Sequence, residues 1–370
     1  MKEAIYSIAL SQMPKLGAAR AKCLLDIAGS ASLIFEHPEE LIQKELLPAS
    51  FVELLQNTEF LRSAEEQLDK MLELGITPLP YSSLDYPSRL KECIDAPTIL
   101  FYKGSANLNA SRIISIVGTR RITDYGKAMC NQIVRDLKEI DPSILIISGL
   151  AHGVDVQAHR AALSEGLDTV GVVAHGLDVI YPSANRAVAK EMLSQGGILS
   201  EYRLDTFPDK RNFVARNRII AGISDATIII ESAAKGGSLI TADLANSYDR
   251  ECFAVPGRCQ DEYSIGCNQL IKNNKATLIE SGYDVFEAMQ WSGSPRVSTP
   301  KREPIPVDKY KDLSSIELEI INLLRNKGKL QVDDLLQEVN LPINQLHTLL
   351  FTMEMNGFIS AKAGGVYQLL

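Results

Sequence analysis

The chain has 370 residues, 45% of them apolar, with 38 basic against 46 acidic side chains and a formal net charge of −8. That composition suits two or three globular domains with a sizeable core. It excludes a positive surface spread over the whole molecule, but not a local basic groove.

No window approaches the roughly 18 apolar residues of a spanning helix. The N-terminal apolar patch is too soon broken by polar residues to read as a signal peptide. A cytoplasmic protein without membrane insertion is therefore expected. The cysteines (23, 93, 130, 252, 259 and 267) contain no C-x-x-C pair and no histidines at zinc spacing. Free thiols are expected, with no metal site, cofactor or catalytic residue.

Residues 1 to about 75 show helical apolar spacing, as in "LGAARAKCLLDIAG". Residues 76 to 104 carry four prolines and read as an ordered connection with short strands. From about 110 the runs "RIISIVG", "SILIISG", "DTVGVVAHG", "GGILSE", "ATIIIES", "RECFAVPG" and "ATLIES" alternate with segments of helical length. This predicts an α/β core over 76–290, a mostly parallel sheet with helices on both faces. Residues 291–310 form a Pro/Ser/charge linker, and 311–370 match a winged helix: three helices and a β-ribbon turning at Gly364-Gly365.

Most of these strands end in Gly or Ser, which places small residues on the carboxyl edge of the sheet, where open α/β folds bind ligands. Three loops there look ready for an anion: Gly118, Thr119, Arg120 and Arg121; Ser148 and Gly149; and Lys235, Gly236, Gly237 and Ser238. Neither G-x-G-x-x-G nor G-x-x-x-x-G-K-[ST] is present, so nucleotide-cofactor binding is poorly supported. Three loops suit a run of phosphates. Between them, residues 203–218 hold five basic side chains, Lys210, Arg211, Arg216 and Arg218 among them, against two acidic ones.

At about 100° per residue, Arg216 falls in the apolar stripe of its helix, while Arg218 points nearly the opposite way. Arg216 is expected to be partly buried and held by a carboxylate such as Glu201 or Glu231. Arg218 is expected to be more exposed, and Asn217 to fix the loop or bond a phosphate. Asp155 and His159, four apart on one helix, could hydrogen-bond to each other; the plainer reading is a polar pair locking a loop onto a helix start.

At these residues the sequence resembles the DNA-processing protein A family (DprA, also called Smf). The matching pieces are "IVGTRR", "SGLAHGVDVQAHRAAL", "GLDVIYPSAN", "GGILSE", "RNRIIAGIS", "GGSLITADLA", "FAVPG" and "GCNQLI". The resemblance implies an extended Rossmann-like core that binds single-stranded DNA and forms a homodimer. It also implies loading of the RecA recombinase onto incoming DNA in natural transformation, or competence. By position, Arg120 matches the family's Gly-(Ser/Thr)-Arg turn, Arg216, Asn217 and Arg218 its Arg-Asn-Arg, and Gly236, Gly237 and Ser238 its Gly/Ser loop. The N-terminal "MPKLGAARAKCLL" resembles a helix-hairpin-helix (SAM-like) segment.

In three places the chain departs from the pattern: Val214 replaces a common proline, Lys15 a glycine and His152 a common arginine. The runner-up is an enzyme, a nucleotide phosphoribohydrolase of the lysine-decarboxylase-like class. Leu239 and Ile240 replace the Gly-Thr of that signature, although Asp243 keeps its acid. The helix "PINQLHTLLFTMEMNG" in the winged helix has no Lys or Arg. A protein contact, or weak duplex binding, is expected there.

Overall fold

The apolar runs form the expected strands in a computed structural model that describes residues 1–14, 16–43, 50–291, 313–339, 341–362 and 365–369. Lys15, most of the 291–310 linker and Gly364 lie outside the described residues. The chain forms two compact units, residues 1–295 and 296–370.

In the first unit the short helices α1 (Lys2–Ser11), α2 (Ala18–Ala28), α3 (Ala31–Glu36), α4 (Pro38–Gln43) and α5 (Ser50–Leu55) precede the longer α6 (Thr58–Glu73). Next come β1 (Thr77–Pro80), α7 (Ser88–Lys91) and β2 (Ile99–Gly104). Strict alternation follows. Its first half is β3 (Ile113–Val117), α8 (Asp124–Ile140), β4 (Leu145–Ser148), α9 (Val154–Glu165), β5 (Thr169–Val173), α10 (Arg186–Met192) and β6 (Gly196–Ser200). The second half is α11 (Lys210–Ile223), β7 (Ala226–Ile229), α12 (Gly237–Ser247), β8 (Glu251–Ala254), α13 (Ile265–Lys272), β9 (Thr277–Leu278) and α14 (Gly282–Ala288).

The sheet order is β1-β2-β6-β5-β4-β3-β7-β8-β9. Pairing is parallel from β6 to β9, while β2 runs antiparallel to both β6 and β1. The α/β expectation therefore holds, and the proline-rich connection supplies the two antiparallel strands at one edge.

Period-2 alternation along each strand gives the sheet two buried faces. Ile113 and Val117 of β3 enter one core with Ile219, Ile220 and Ile223 of α11. Ile114 and Ile116 enter the other, with α8, α9 and α14. The N-terminal helices share a third core with the antiparallel edge, where Ile8, Leu68 and Met71 meet Ile99 and Phe101. That core crosses the boundary drawn near residue 75, so helices and sheet form one unit.

The second unit contains α15 (Ser315–Lys327), β10 (Lys329–Gln331), α16 (Val332–Glu338), α17 (Ile343–Met355), β11 (Ile359–Lys362) and β12 (Val366–Leu369). A capping box between Ser314 and Glu317 starts α15. Its antiparallel sheet runs β10-β12-β11 over a core that includes Ile320, Leu335, Leu346 and Leu350. This is the expected winged helix, with β10 added to the ribbon.

Asp155 and His159 do not bond to each other. Asp155 Oδ2 accepts from the Ala151 amide at 3.4 Å, locking the loop onto the start of α9. The Thr169 hydroxyl donates to the Ile146 carbonyl at 3.0 Å, so it accepts from His159 Nδ1–H at 2.7 Å. Nε2 is left unprotonated, buried and without a partner. Burial, reinforced by the Arg216 charge, pushes His159 down to about 3 from an ordinary value of 6.5.

Between those two values the unfolded chain holds the proton and the folded chain does not. This histidine therefore costs stability progressively as pH falls below 6.5. Asp155, whose carboxyl is raised by burial, acts with the opposite sign, so a comparison of variants isolates the histidine. Relative to His159→Gln, the parent protein is expected to lose about 1.4 kcal/mol per pH unit below 6.5. Urea denaturation between pH 7 and 5 measures this, and parallel curves for the two proteins would refute it.

Candidate nucleic-acid interface

From β3 the chain leads one way through β4, β5 and β6; from β7 it leads the other way through β8 and β9. The switch point between β3 and β7 opens a crevice at the carboxyl ends of the strands, where such sheets take ligands. A cleft of 280 Å3 occupies it. The structure brings Gly118, Thr119, Arg120, Arg216, Asn217, Gly236, Gly237 and Ser238 to its walls, out of three separate chain segments.

Arg216 is the deepest of these. It is 4% exposed, and its Nη1 donates to the Gly149 carbonyl at 2.7 Å and to the Val172 carbonyl. The compensating charge comes from buried Asp155, not from Glu201 or Glu231 as expected. Burial lowers the Arg216 pKa, Asp155 opposes that shift, and the Arg120 charge adds to it. A Cβ on residue 149 would lie 2.4 Å from both Arg216 Nη1 and Asp155 Oδ2, so only glycine leaves room for this pair.

Arg218 departs from its expected exposure. Two residues on from Arg216, about 200° around the axis, it lies on the opposite face of α11, with its side chain 13% exposed. Its Nη2 pairs with Glu201 and its Nη1 donates to the Asp95 carbonyl at 2.8 Å, which removes it from the cleft. Glu231 accepts from the amide and hydroxyl of Thr123, the N-cap of α8. The start of α8 is thus already served by an internal carboxylate, and a Cβ on Gly126 would come within 2.3 Å of it.

The second loop is likewise committed inward. Ser148 is fully buried and its hydroxyl donates to the Ile116 carbonyl at 2.6 Å, while Gly149 packs against Arg216. Gly153, with φ of +80°, lets that loop touch the first, where the Val154 amide donates to the Thr119 carbonyl at 3.1 Å. The expectation of three open anion loops is thereby corrected. Glu231 serves the start of α8, the Thr119 carbonyl takes the first amide of α9, and Asp155 takes the Ala151 amide of the loop before it, because a helix start buried beside its own sheet must find its acceptors within the fold.

The third loop stays open. α12 begins at the N-cap Gly236 without a side-chain cap, and a Cβ on Gly237 would meet nothing within 4 Å. The Ser238 hydroxyl turns inward to Ser232 at 2.9 Å. Lys235 is exposed beside this loop, Lys210 and Arg211 are exposed at the start of α11, and Arg121 turns toward Tyr263. None of these four lines the cleft.

Sequence reasoning missed Phe213. Arg120 lies 5.5 Å from its ring centre, and Tyr181 lies 5.8 Å away on a tilted ring contact. Phe213 lines the cleft, and Tyr181 is 48% exposed. The usable signal was an aromatic residue inside a basic run, "KRNFVARNR". Tyr181 lies far away in sequence and carried no such signal.

In the winged helix, α17 exposes Ile343, Phe351 and Met355 at 47%, 64% and 72%. The cysteines are free, four of them buried and two exposed. Among the described residues no helix is long and apolar enough to cross a membrane.

Comparison with known proteins agrees with this architecture. Residues 78–290 match the family model for DNA recombination-mediator protein A, and residues 304–365 match that for the DprA winged helix domain. The DNA processing protein DprA of Bacillus subtilis is 41% identical over 59% of this chain and 72% of its own length. Protein Smf of Escherichia coli is 33% identical over 79% of this chain and 77% of its own. The X-ray structure of DprA from Streptococcus pneumoniae superposes with a TM-score of 0.62 at 33% identity, covering 78% of this chain and 98% of that one. A Helicobacter pylori DprA structure, described for its single-stranded DNA binding mode, superposes with a TM-score of 0.52 at 32% identity, covering 58% and 95%. The chain belongs to the DNA-processing protein A (DprA/Smf) family.

Proposed function

We propose that this chain binds single-stranded DNA in the cleft between β3 and β7 and acts as a recombination mediator without enzymatic activity. The observation that carries this is the row of Arg120, Phe213 and Tyr181 beside the uncapped start of α12. Exposed aromatic rings take unpaired bases by stacking, and Arg120, the backbone amides of Gly237 and Ser238 and nearby Lys235 take phosphates. Paired bases cannot stack there, so single strands are preferred over duplex. Family membership supports the rest of the reading: delivery of the strand to the RecA recombinase during natural transformation, homodimerisation through the core, and a cytoplasmic location.

The enzymatic alternative needs its signature acid, Asp243, in the cleft. Asp243 pairs instead with Lys275 at 2.7 Å and does not line it. Nucleoside monophosphates incubated with the protein are expected to release no free base, as chromatography will show.

With about four phosphates neutralised, log K for single strands should fall against log salt with a slope near −3. Arg120→Ala should flatten that slope by about 0.7. Phe213→Ala should leave the slope alone and weaken binding by about 1–3 kcal/mol. Fluorescence anisotropy over a salt series measures both, and unchanged affinity in both variants would count against the cleft.

Arg216→Ala is expected to act first on the fold, at a cost of about 3–5 kcal/mol, because it leaves Asp155 buried without its cation. A melting curve separates that loss from a loss of DNA contact. The apolar stripe of α17 favours a protein contact for the winged helix, and deleting residues 313–370 should leave duplex affinity at physiological salt nearly unchanged.

A further inference from the structure

One aromatic ring on the carboxyl edge stands outside the cleft. Phe207, between β6 and α11, is 74% exposed, the most of any aromatic side chain among the described residues. The loop that carries it is firmly held. Leu204 is buried in the core of the N-terminal helices. The Thr206 carbonyl accepts from the Gly176 amide at 3.0 Å, and the Asp178 carboxylate accepts from the Asp205 amide at 3.2 Å. Asp205 is kept at φ of +63°, and a Cβ on Gly176 would strike the Arg203 carbonyl. Pro208 then keeps Phe207 extended.

A single exposed ring is ordinary on a protein surface; the place of this one in the fold is not. Gly176 and Asp178, which brace its loop, belong to the segment after β5 that also carries Tyr181. Tyr181 meets Phe213, and Phe213 meets Arg120. These groups follow the order of the sheet: the open start of α12 after β7, Arg120 after β3, Tyr181 after β5 and Phe207 after β6. At about 4.8 Å per strand, β7 to β6 covers about 19 Å of the edge. Lys210 and Arg211, exposed but outside the cleft, follow Phe207 closely in the chain.

We infer that Phe207 is a further stacking platform for the single strand, which continues from the cleft past Tyr181 to the loop after β6. The inference rests on strand binding in the β3–β7 cleft. One unpaired base lies on the Phe207 ring, and the adjoining phosphates meet Lys210 and Arg211. Asp205 and Asp209 offset two of the three exposed cations of this segment, Arg203, Lys210 and Arg211, so the ring supplies most of the contact. Because the loop is already fixed, binding has little left to order.

Fluorescence anisotropy of the full chain with an oligo(dT) of about 16 nucleotides tests this. Phe207→Ala should lose about tenfold in affinity with the salt slope unchanged, and Phe207→Tyr should bind as the parent does. Melting curves check that each variant folds. In Phe207→Trp the introduced indole should be quenched by the oligonucleotide. Trp291, the only tryptophan of the parent, packs against Phe286 and supplies the background signal. If Phe213→Ala weakens binding but Phe207→Ala does not, or if the introduced indole does not respond, the platform is overturned and the cleft stands. If the parent does not retain the oligonucleotide, the cleft reading fails and the platform with it.

Discussion

The buried guanidinium of Arg216 holds the candidate site together. Taking such a charge out of water costs several kcal/mol unless it finds acceptors and a counter-charge. Here the acceptors are the carbonyls of Gly149 and Val172, at the ends of β4 and β5, and the counter-charge is Asp155 at the start of α9. One side chain therefore ties two strands and two helices together at the carboxyl edge. Because it pins α11 across that edge, the helix divides the edge into two cavities, with Arg216 and Asn217 on one side and Arg218 on the other.

The same requirement, that buried polar groups be paired, decides which loops stay available. The starts of α8 and α9 lie against the sheet and take acceptors from the fold itself, in Glu231 and the Thr119 carbonyl. The start of α12 lies at the rim and takes none from a side chain. An acidic chain of net charge −8 thus concentrates its capacity for anions in a small area, a bare helix start beside Arg120 and Lys235. The pairing of Arg218 with Glu201 keeps a further cation out of that field.

Much of this was legible in the residues. Strands buried on both faces read as unbroken apolar runs such as "RIISIV", and the helices between them follow from their spacing. The burial of Arg216 followed from its angle on α11, since side-chain direction along a helix is a local property. Phe213 could have been read from its place among arginines and lysines; Tyr181 could not. Ser148 looked like a phosphate ligand because a small polar residue at a strand end reads the same whether its hydroxyl faces a ligand or, as here, the carbonyl of a neighbouring strand.

By itself the sequence determined the α/β order, the winged helix, the apolar stripe carrying Arg216 and the family. Those depend on period, composition and motif, which are written along the chain. Tertiary structure alone decided partners. Arg216 met Asp155 and two carbonyls, Arg218 met Glu201, and Glu231 met the start of α8. These pairings span 17 to 108 residues of chain. Each is selected by what remains unsatisfied once the sheet has closed, a quantity that has no local trace in the sequence.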